Sequence, residues 1–326
     1  MNRTWISLYI YYHEDPTPLL VHCLKPLVAV LKARAEINSS FFVRYWEGGP
    51  HVRFRVLPRQ PANASELRAY IQERVRAYLC AHPSRFVIDA KRYGAATAYF
   101  SRFERGQVQH FALQPNNSLL EVAYQPEYEA YGGEKSMPAV EELFSDSSDV
   151  ALAFLEQDVT SERRVGRALL MMLGGLRRFT ADPHELRDWF ALYNRNWMPA
   201  LQPDPEVFAR VFQTRFERQR DRLIQLVDGV LSPSASADQL LSLWQASLDR
   251  LHDHFQSQSQ TIARDDLALI CLNCLHMHNN RLGISLHEEA YLTYLIKHAL
   301  EAWLHSKMPL GIDVRSDPVF SDSTHR

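Results

Sequence analysis

Residues 41–55 read Phe-Phe-Val-Arg-Tyr-Trp-Glu-Gly-Gly-Pro-His-Val-Arg-Phe-Arg, and this stretch decides the fold of the N-terminal part of the chain. Aromatic and β-branched residues on both sides of a Gly-Gly-Pro break are typical of two strands joined by a tight turn. Successive strand residues point to opposite faces. One face of the second strand therefore carries only basic side chains: His51, Arg53 and Arg55. The other carries only apolar ones: Val52, Phe54 and Val56.

The basic row has two interpretations. A solvated sheet face is the simpler one, since charged residues are mostly exposed. The second is a row that binds an anion, because the planar guanidinium fork grips a carboxylate with two charge-assisted hydrogen bonds. The pattern leaves both open.

The composition is that of a soluble globular protein, with 46% hydrophobic and 23% charged residues among 326. A net charge of −2 provides no global field for nucleic acid or anionic membrane. No apolar run is long enough to span a bilayer, and no signal core precedes the first strand. Four cysteines do not make a disulfide framework in a chain of this size. We expect a cytoplasmic protein with reduced thiols.

The pattern changes near residue 137. Before it, strands are predicted at 5–12, 41–57, 85–88 and 98–113, with helices over 16–37 and 65–79. After it, helical periodicity covers 147–158, 160–179, 184–196, 204–231, 236–257, 264–282 and 286–306.

We therefore predict an α+β fold, in which an N-terminal mixed or antiparallel sheet with helices on one face precedes a mostly helical C-terminal half. The expected divisions are a sheet-rich half at 1–136, a helical half at 137–309 and a polar tail at 310–326, with the two halves forming one intimate domain. The uncovered face of the sheet would be available for a site.

Three further stretches could carry chemistry. The first runs from Tyr124 to Gly133, where paired glycines allow a sharp turn or close approach to a ligand, and is followed by Phe144-Ser145-Asp146-Ser147. It equally suits a plain loop between the two halves. The second is a group of surface charges, Lys91, Arg92, Arg102 and Arg105, that could extend the basic face.

The third stretch is the predicted helix at 271–281. Helical spacing places Cys271, Cys274, His278 and Arg281 near one face, and His276 on another. The alternatives are buried core thiols, a catalytic histidine, or a zinc site that would still lack a fourth ligand. There is no phosphate loop, no Gly-x-Ser-x-Gly elbow and no His-Glu-x-x-His helix.

These motifs, in this order, resemble the C-terminal domain of class I lantibiotic dehydratases. Stand-alone members of that family are thiopeptide-type bacteriocin biosynthesis proteins. The resemblance rests on the 41–55 hairpin, the Tyr124–Gly133 loop, the Phe144–Ser147 step and the run from His276 to Leu282. Together with Trp5 at the head of the first strand, it covers nearly the whole chain.

The resemblance implies a lyase reaction on a ribosomal precursor peptide. Ser or Thr of the peptide is first glutamylated from glutamyl-tRNA by a separate protein, and this domain then eliminates glutamate to leave a dehydroamino acid. No metal and no organic cofactor would be required. The expected partners are the precursor peptide and the glutamylating protein, without direct contact to nucleic acid or membrane. A homodimer remains one option.

Carried over residue by residue, Arg53 and Arg55 match the family's paired arginines, and His276 or His278 matches its histidine. Face geometry slightly favours His278, which shares a stripe with Arg281. The residues expected to bind substrate are Arg44, His51, Tyr131 and Arg281.

The sequence departs from the family at Ala130, where the loop normally carries an arginine thought to hold the glutamyl group. Either Arg44, Lys91 or Arg92 substitutes for it, or the substrate is not a glutamyl ester. Some stand-alone relatives instead join two dehydroalanines into a pyridine by aza-[4+2] cycloaddition, for which aromatics such as Tyr9, Tyr11, Tyr45, Trp46 and Tyr99 could line a peptide cleft. A non-catalytic subunit that captures the peptide on an edge strand is the third alternative.

Overall fold

The structure is a computed structural model that describes residues 3–89, 91, 93–94, 97–98, 111–201, 204–232, 238–258 and 262–307. It confirms the predicted α+β class, with a small antiparallel sheet followed by a mostly helical half. The predicted tail at 310–326 lies outside the described residues. In the described part of the chain, no helix is both long and apolar enough to cross a membrane.

The sheet contains the strands β1 (Ile6–Tyr11), β2 (Ile37–Tyr45), β3 (His51–Pro58) and β4 (Ser118–Glu121), in the order β2-β3-β1-β4. All described pairings are antiparallel. The predicted hairpin is therefore confirmed. Its turn needs glycine at position 49, because φ is +108° there and an added Cβ would lie 2.9 Å from the His13 ring.

The apolar face of the sheet is buried as predicted, with Val52, Phe54 and Val56 at most 2% exposed. Side chains from three helices belong to the same core cluster. These helices are α1 (Thr17–Leu19), α2 (Lys25–Ala33) and α3 (Ala64–Ala81), and a π-helical stretch (Leu20–Leu24) joins α1 to α2. The predicted apolar stripe of α3 is buried in full and consists of Leu67, Ile71, Val75 and Leu79.

The predicted strand at 85–88 is wrong. This segment is irregular, because side chains rather than a neighbouring strand satisfy its backbone. Glu14 accepts from the Arg85 N–H at 2.8 Å, and Asn116 donates to the Phe86 carbonyl at 3.1 Å. The fourth strand is β4 instead. Most of the predicted strand at 98–113 falls outside the described residues, whereas 111–113 are irregular.

The helical half follows most of the predicted segments, whereas the helix predicted at 147–158 begins ten residues earlier, at Met137, with Pro138 in its first turn. Its described helices are α4 (Met137–Leu155), α5 (Ser161–Leu176), α6 (Pro183–Trp197), α7 (Pro205–Leu231), α8 (Gln239–Ser257), α9 (Arg264–Leu282) and α10 (Leu286–Lys307). Aspartate side chains cap the first turns of α6, α7 and α8.

The two halves meet along the outer edge of β2. Its backbone N–H groups at Ser40 and Phe42 donate to the hydroxyls of Ser145 and Ser148 on α4, at 3.4 and 3.2 Å. At Arg44, the Asn280 side chain of α9 accepts from the backbone N–H and donates to the carbonyl, both at 2.9 Å. Side chains from two helices thus replace the missing neighbour strand, and they join the halves through this edge.

We predict that Asn280→Ala lowers the free energy of unfolding by about 1–3 kcal/mol, because it leaves two half-buried backbone groups of Arg44 without partners. Asn273→Ala is the matched control, since it removes one hydrogen bond, to the Ala130 carbonyl at 3.1 Å, and should cost less. Urea unfolding of both variants measures the difference. Equal losses would mean that the β2 edge is not held through Asn280.

Candidate functional site

The basic row on β3 lies on one face, as predicted, but its three members have different surroundings. Cross-strand pairing places Tyr11 opposite His51, Tyr9 opposite Arg53 and Ser7 opposite Arg55. The Arg53 side chain is only 14% exposed, and Arg55 only 8%. The row is therefore not a solvated sheet face.

Neighbouring side chains balance the charge of Arg53 and hold its guanidinium in place. Its guanidinium lies 3.3 Å from the centroid of the Tyr45 ring and 4.7 Å from that of Tyr9. It also forms a 3.1 Å ion pair with Glu47. Two aromatic faces and a carboxylate fix its position and offset its charge.

His51 supports Arg53 rather than facing open space. Its Nδ1–H donates to the Gly49 carbonyl at 2.8 Å, and its Nε2 accepts from the Arg53 Nε at 3.3 Å. The ring is 2% exposed and stacks on Tyr9. Burial lowers the His51 pKa to about 4, so the imidazole is neutral at pH 7 and can accept that hydrogen bond.

Arg55 is different, because it has no carboxylate partner in the described part of the chain. Its guanidinium lies against Tyr124, 4.5 Å from the ring centroid, and against Phe41 at 5.3 Å. The Nε atom is buried without a hydrogen-bond partner among the described residues. Burial lowers the Arg55 pKa, although the group remains a cation at neutral pH.

Arg281 brings a second buried guanidinium from α9. It is fully buried, donates to Ser148 Oγ at 3.1 Å and to the Met277 carbonyl at 2.7 Å, and lies 4.7 Å from the Phe144 ring. Burial, together with the charge of Arg55, lowers the Arg281 pKa to about 9. The structure therefore brings Arg281 within electrostatic reach of Arg55, at the junction of the two halves.

The Tyr124–Gly133 loop closes this junction. Tyr131 is buried, with its ring centroid 5.2 Å from that of Phe144, and burial raises the pKa of its phenol well above the usual range. Gly132 and Gly133 have φ of +81° and +90°, as the predicted sharp turn requires.

Ala130, where an arginine was expected from the resemblance, lines a separate open groove. That groove has a volume of about 730 Å³ and also contacts Glu129, Asp266, Leu269 and Asn273. It has room for a longer side chain at position 130.

His278 is enclosed in the helical core. Its Nδ1 is hydrogen-bonded to Ser147 Oγ at 2.8 Å, and its ring stacks on Trp244 at a centroid distance of 4.2 Å. The residue is 1% exposed, and burial lowers its pKa to about 3. Cys271 and Cys274 are buried on the same side, in agreement with core thiols. Within the described ranges, no three His, Cys, Asp or Glu side chains form a group that could hold a metal ion.

His276 is the more accessible of the two histidines, with 27% of its side chain exposed. Its Nδ1 is hydrogen-bonded to the buried carboxylate of Glu289 at 2.8 Å, and its ring lies on Trp197. Asn279 and Tyr193 also hydrogen-bond Glu289, which fixes that carboxylate in place. A carboxylate at Nδ1 sets the tautomer and the orientation of the ring.

Arg44 lies on the opposite face of the sheet from Arg53 and Arg55, because it pairs with Val52. Its guanidinium contacts Asp15 and Thr17 at 3.1 Å each and the Arg281 carbonyl at 3.3 Å. These contacts hold the chain together and leave Arg44 poorly placed to replace an arginine at position 130.

The remaining candidates lie at the rim or beyond the described residues. Lys91 is exposed, and Tyr93 is hydrogen-bonded to the turn at Gly49 and Trp46. Tyr9, Tyr11, Tyr45 and Trp46 surround His51 and Arg53, so this end of the face is lined by aromatic rings. Arg92, Tyr99, Arg102 and Arg105 lie outside the described residues.

Sequence reasoning missed the acidic partners. Glu47 stands next to the Gly-Gly turn, where it reads as a turn residue, and Glu289 is one of two acids in the first turn of α10. Alternation along β1 places Ser7 and Tyr9 on one face, whereas the pairing of Ser7 with Arg55 depends on the strand register. No spacing rule links Glu289 to His276, since the two lie on different helices.

The site therefore combines two buried guanidiniums without an ion-pair partner among the described residues, neutral phenols and an aromatic-lined strand face. It is suited to binding an anionic group attached to a larger organic substrate.

Residues 5–300 match the family model described as the C-terminal region of lantibiotic biosynthesis dehydratases. The chain belongs to this family. The family resemblance in the sequence is thereby confirmed. A search of curated protein sequences gave no significant match.

Solved structures of other proteins share the fold. The pyridine synthase TbtD from thiomuracin biosynthesis has a TM-score of 0.78 at 19% identity, over 92% of this chain and 98% of that one. TsrL has a TM-score of 0.64 at 18% identity, over 93% and 96%. The tRNA-dependent lantibiotic dehydratase MibB from Microbispora sp. 107891 has a TM-score of 0.62 at 17% identity, over 94% of this chain but only 29% of MibB.

We predict that stability falls as the pH drops below about 6.5, because His51 and His278 have folded pKa values of about 4 and 3, below the unfolded value. The folded state binds fewer protons there, so each histidine contributes up to about 1.4 kcal/mol per pH unit. Urea unfolding at pH 7, 6 and 5 should show a shallower decline for His278→Asn. The exposed His22→Asn is the control and should keep the native slope. An unchanged slope in His278→Asn would contradict the buried neutral imidazole.

Proposed function

We propose that this protein eliminates glutamate from glutamylated Ser or Thr residues of a ribosomal precursor peptide, leaving dehydroamino acids. The observation that carries the proposal is the buried Arg55 guanidinium, which lacks a carboxylate partner in the described ranges and has a second cation, Arg281, nearby. Two buried cations that form no ion pair with a described carboxylate are costly, and an incoming carboxylate offsets that cost.

The arginines would act on the leaving group. A glutamyl ester carries one free carboxylate, and its ester group departs as a second carboxylate. Arg55 and Arg281 would hold the free carboxylate, while Arg53, fixed by Tyr45 and Glu47, would stabilise charge that develops on the ester oxygen.

The proton acceptor in this proposal is His276. It is partly exposed and oriented by Glu289, whereas His278 is enclosed between Ser147 and Trp244. His276 would take the α-proton of the modified residue, the electrons of that C–H bond would form the Cα–Cβ double bond, and the Cβ–O bond would break. Glutamate leaves with the pair of electrons from that bond.

The partners follow from this chemistry. The glutamylated substrate has to come from a reaction class that esterifies peptide hydroxyls, so a separate glutamylating protein and the precursor peptide are the proposed partners. The aromatic rings around Arg53 would contact the peptide.

We predict that Arg55→Ala slows glutamate loss from a glutamylated peptide by at least about 100-fold, because it removes the cation that binds the leaving group. Mass spectrometry of the peptide measures the loss, and circular dichroism checks the fold. Arg59→Ala, an exposed position at the end of the same ribbon, is the matched control and should retain full turnover. His276→Asn in the same assay should also lose elimination. Normal turnover by Arg55→Ala would remove the basis of the proposal.

A second candidate function is pyridine formation from two dehydroalanines. The observation in its favour is Ala130, which provides no cation for a glutamyl group, together with an aromatic-lined strand face. The pyridine synthase TbtD has nearly the same length as this chain and shares its fold. Cycloaddition needs positioning and acid–base groups but no grip on glutamate.

We predict that Ala130→Arg retains elimination activity and a normal fold, since the groove beside residue 130 accommodates the longer side chain next to Glu129 and Asp266. Mass spectrometry with a candidate precursor separates the alternatives. Loss of glutamate supports elimination, loss of the leader with ring closure supports the cyclase, and binding without a mass change supports a non-catalytic subunit. Complete loss of glutamate elimination in Ala130→Arg would instead show that residue 130 shapes the substrate pocket.

A further inference from the structure

A buried hydroxyl beside Arg55 has no hydrogen-bond partner in the described part of the chain. Ser7 on β1 lies directly opposite Arg55 on β3, so the two side chains share a face of the sheet. Ser7 is 3% exposed, and neither its Oγ nor the Arg55 Nε contacts an acceptor or donor among the described residues. Buried polar atoms are nearly always paired, so two unpaired atoms on facing residues require an explanation.

A third unpaired donor comes from the helical half. Arg281 uses its Nε and one terminal nitrogen, but its Nη2 is buried without a partner among the described residues. Both guanidiniums lie against one aromatic cluster. Arg55 lies over Phe41 and Arg281 over Phe144, and the centroids of those two rings are 5.5 Å apart.

We infer that Ser7 Oγ, Arg55 Nε and Arg281 Nη2 are donors of one carboxylate-binding pocket, and that its ligand is the free carboxylate of the glutamyl group. The inference rests on the proposed elimination and adds Ser7 as a direct substrate contact. A carboxylate offers two oxygens with four acceptor positions, which is enough for three donors. Neither guanidinium forms an ion pair with a described carboxylate, and two such positive charges favour an anion over a neutral group.

The walls of the pocket favour an amino-acid carboxylate over inorganic phosphate. Arg55 is flanked by the rings of Phe41 and Tyr124, which suit the methylene chain of a glutamyl group and exclude a fully hydrated ion. The Tyr124 phenol stays neutral at working pH, because burial raises its pKa, and so adds no repulsion.

Ser7→Ala separates a binding role from a structural one. If the hydroxyl has no partner in the free protein, its removal leaves the melting temperature equal or higher, because an unsatisfied buried group is lost. The same change should weaken binding of free L-glutamate about tenfold, since a charge-assisted hydrogen bond disappears. Isothermal titration calorimetry with L-glutamate measures the affinity, and L-glutamine tests the need for the carboxylate.

Ser247→Ala is the matched control, since Ser247 is also a buried serine but donates to the Leu243 carbonyl at 2.9 Å, on α8. It should bind L-glutamate as the native protein does. Native glutamate affinity in Ser7→Ala, or a melting temperature well below the native one, would overturn the inference, because an internal water would then satisfy Ser7.

The calorimetry needs neither peptide nor turnover, so its result is independent of the reaction. Glutamate binding that depends on Ser7, without elimination from a peptide, would leave the pocket standing and remove the proposed function. Elimination without any Ser7-dependent glutamate binding would support the proposed function and rule out the pocket. Absence of glutamate binding to the native protein would overturn the pocket outright.

Discussion

The exposed backbone edge of β2 is the constraint on which the rest of the structure depends. A strand edge inside a protein must find partners for its N–H and C=O groups, and here Ser145, Ser148 and Asn280 provide them from two helices. This contact fixes where α4 and α9 lie against the sheet. Because Arg281 follows Asn280 on α9, the same contact also places Arg281 near Arg55. The edge contact and the pair of cations therefore depend on the position of one helix.

The sheet face that carries Arg53 and Arg55 has two different electrostatic environments within a few residues. Arg53 is stacked, paired with Glu47 and supported by a neutral His51, so its position is fixed before any substrate arrives. Arg55, one pleat along, is buried and unpaired. A preorganised cation beside an unsatisfied one is the arrangement expected when a site holds a charged group and stabilises new charge next to it. The unpaired Arg55 Nε and Ser7 Oγ both cost stability, a pattern that is common at functional sites.

Much of the fold could be predicted from the sequence, because its signals are local. The 41–55 hairpin, the apolar stripe of α3 and the extent of α7 follow from alternation and helical period. The strand predicted at 85–88 was wrong, because Asn116 and Glu14, which satisfy the backbone of this segment, lie far away in the chain. Within the site, the two-residue period of a β-strand was enough to predict that Arg53 and Arg55 share one face. The pairing of Glu47 with Arg53, the enclosure of His278 and the link from His276 to Glu289 depend on tertiary packing, which no spacing rule contains.

The central claim is that Arg55 binds the carboxylate of a glutamyl group. The most direct measurement is a crystal structure with a peptide whose glutamyl ester is replaced by the non-cleavable amide. The account predicts the free carboxylate within hydrogen-bond distance of the Arg55 guanidinium, about 2.7–2.9 Å from its nitrogens. A glutamyl carboxylate bound elsewhere, with Arg55 still unpaired, would contradict it.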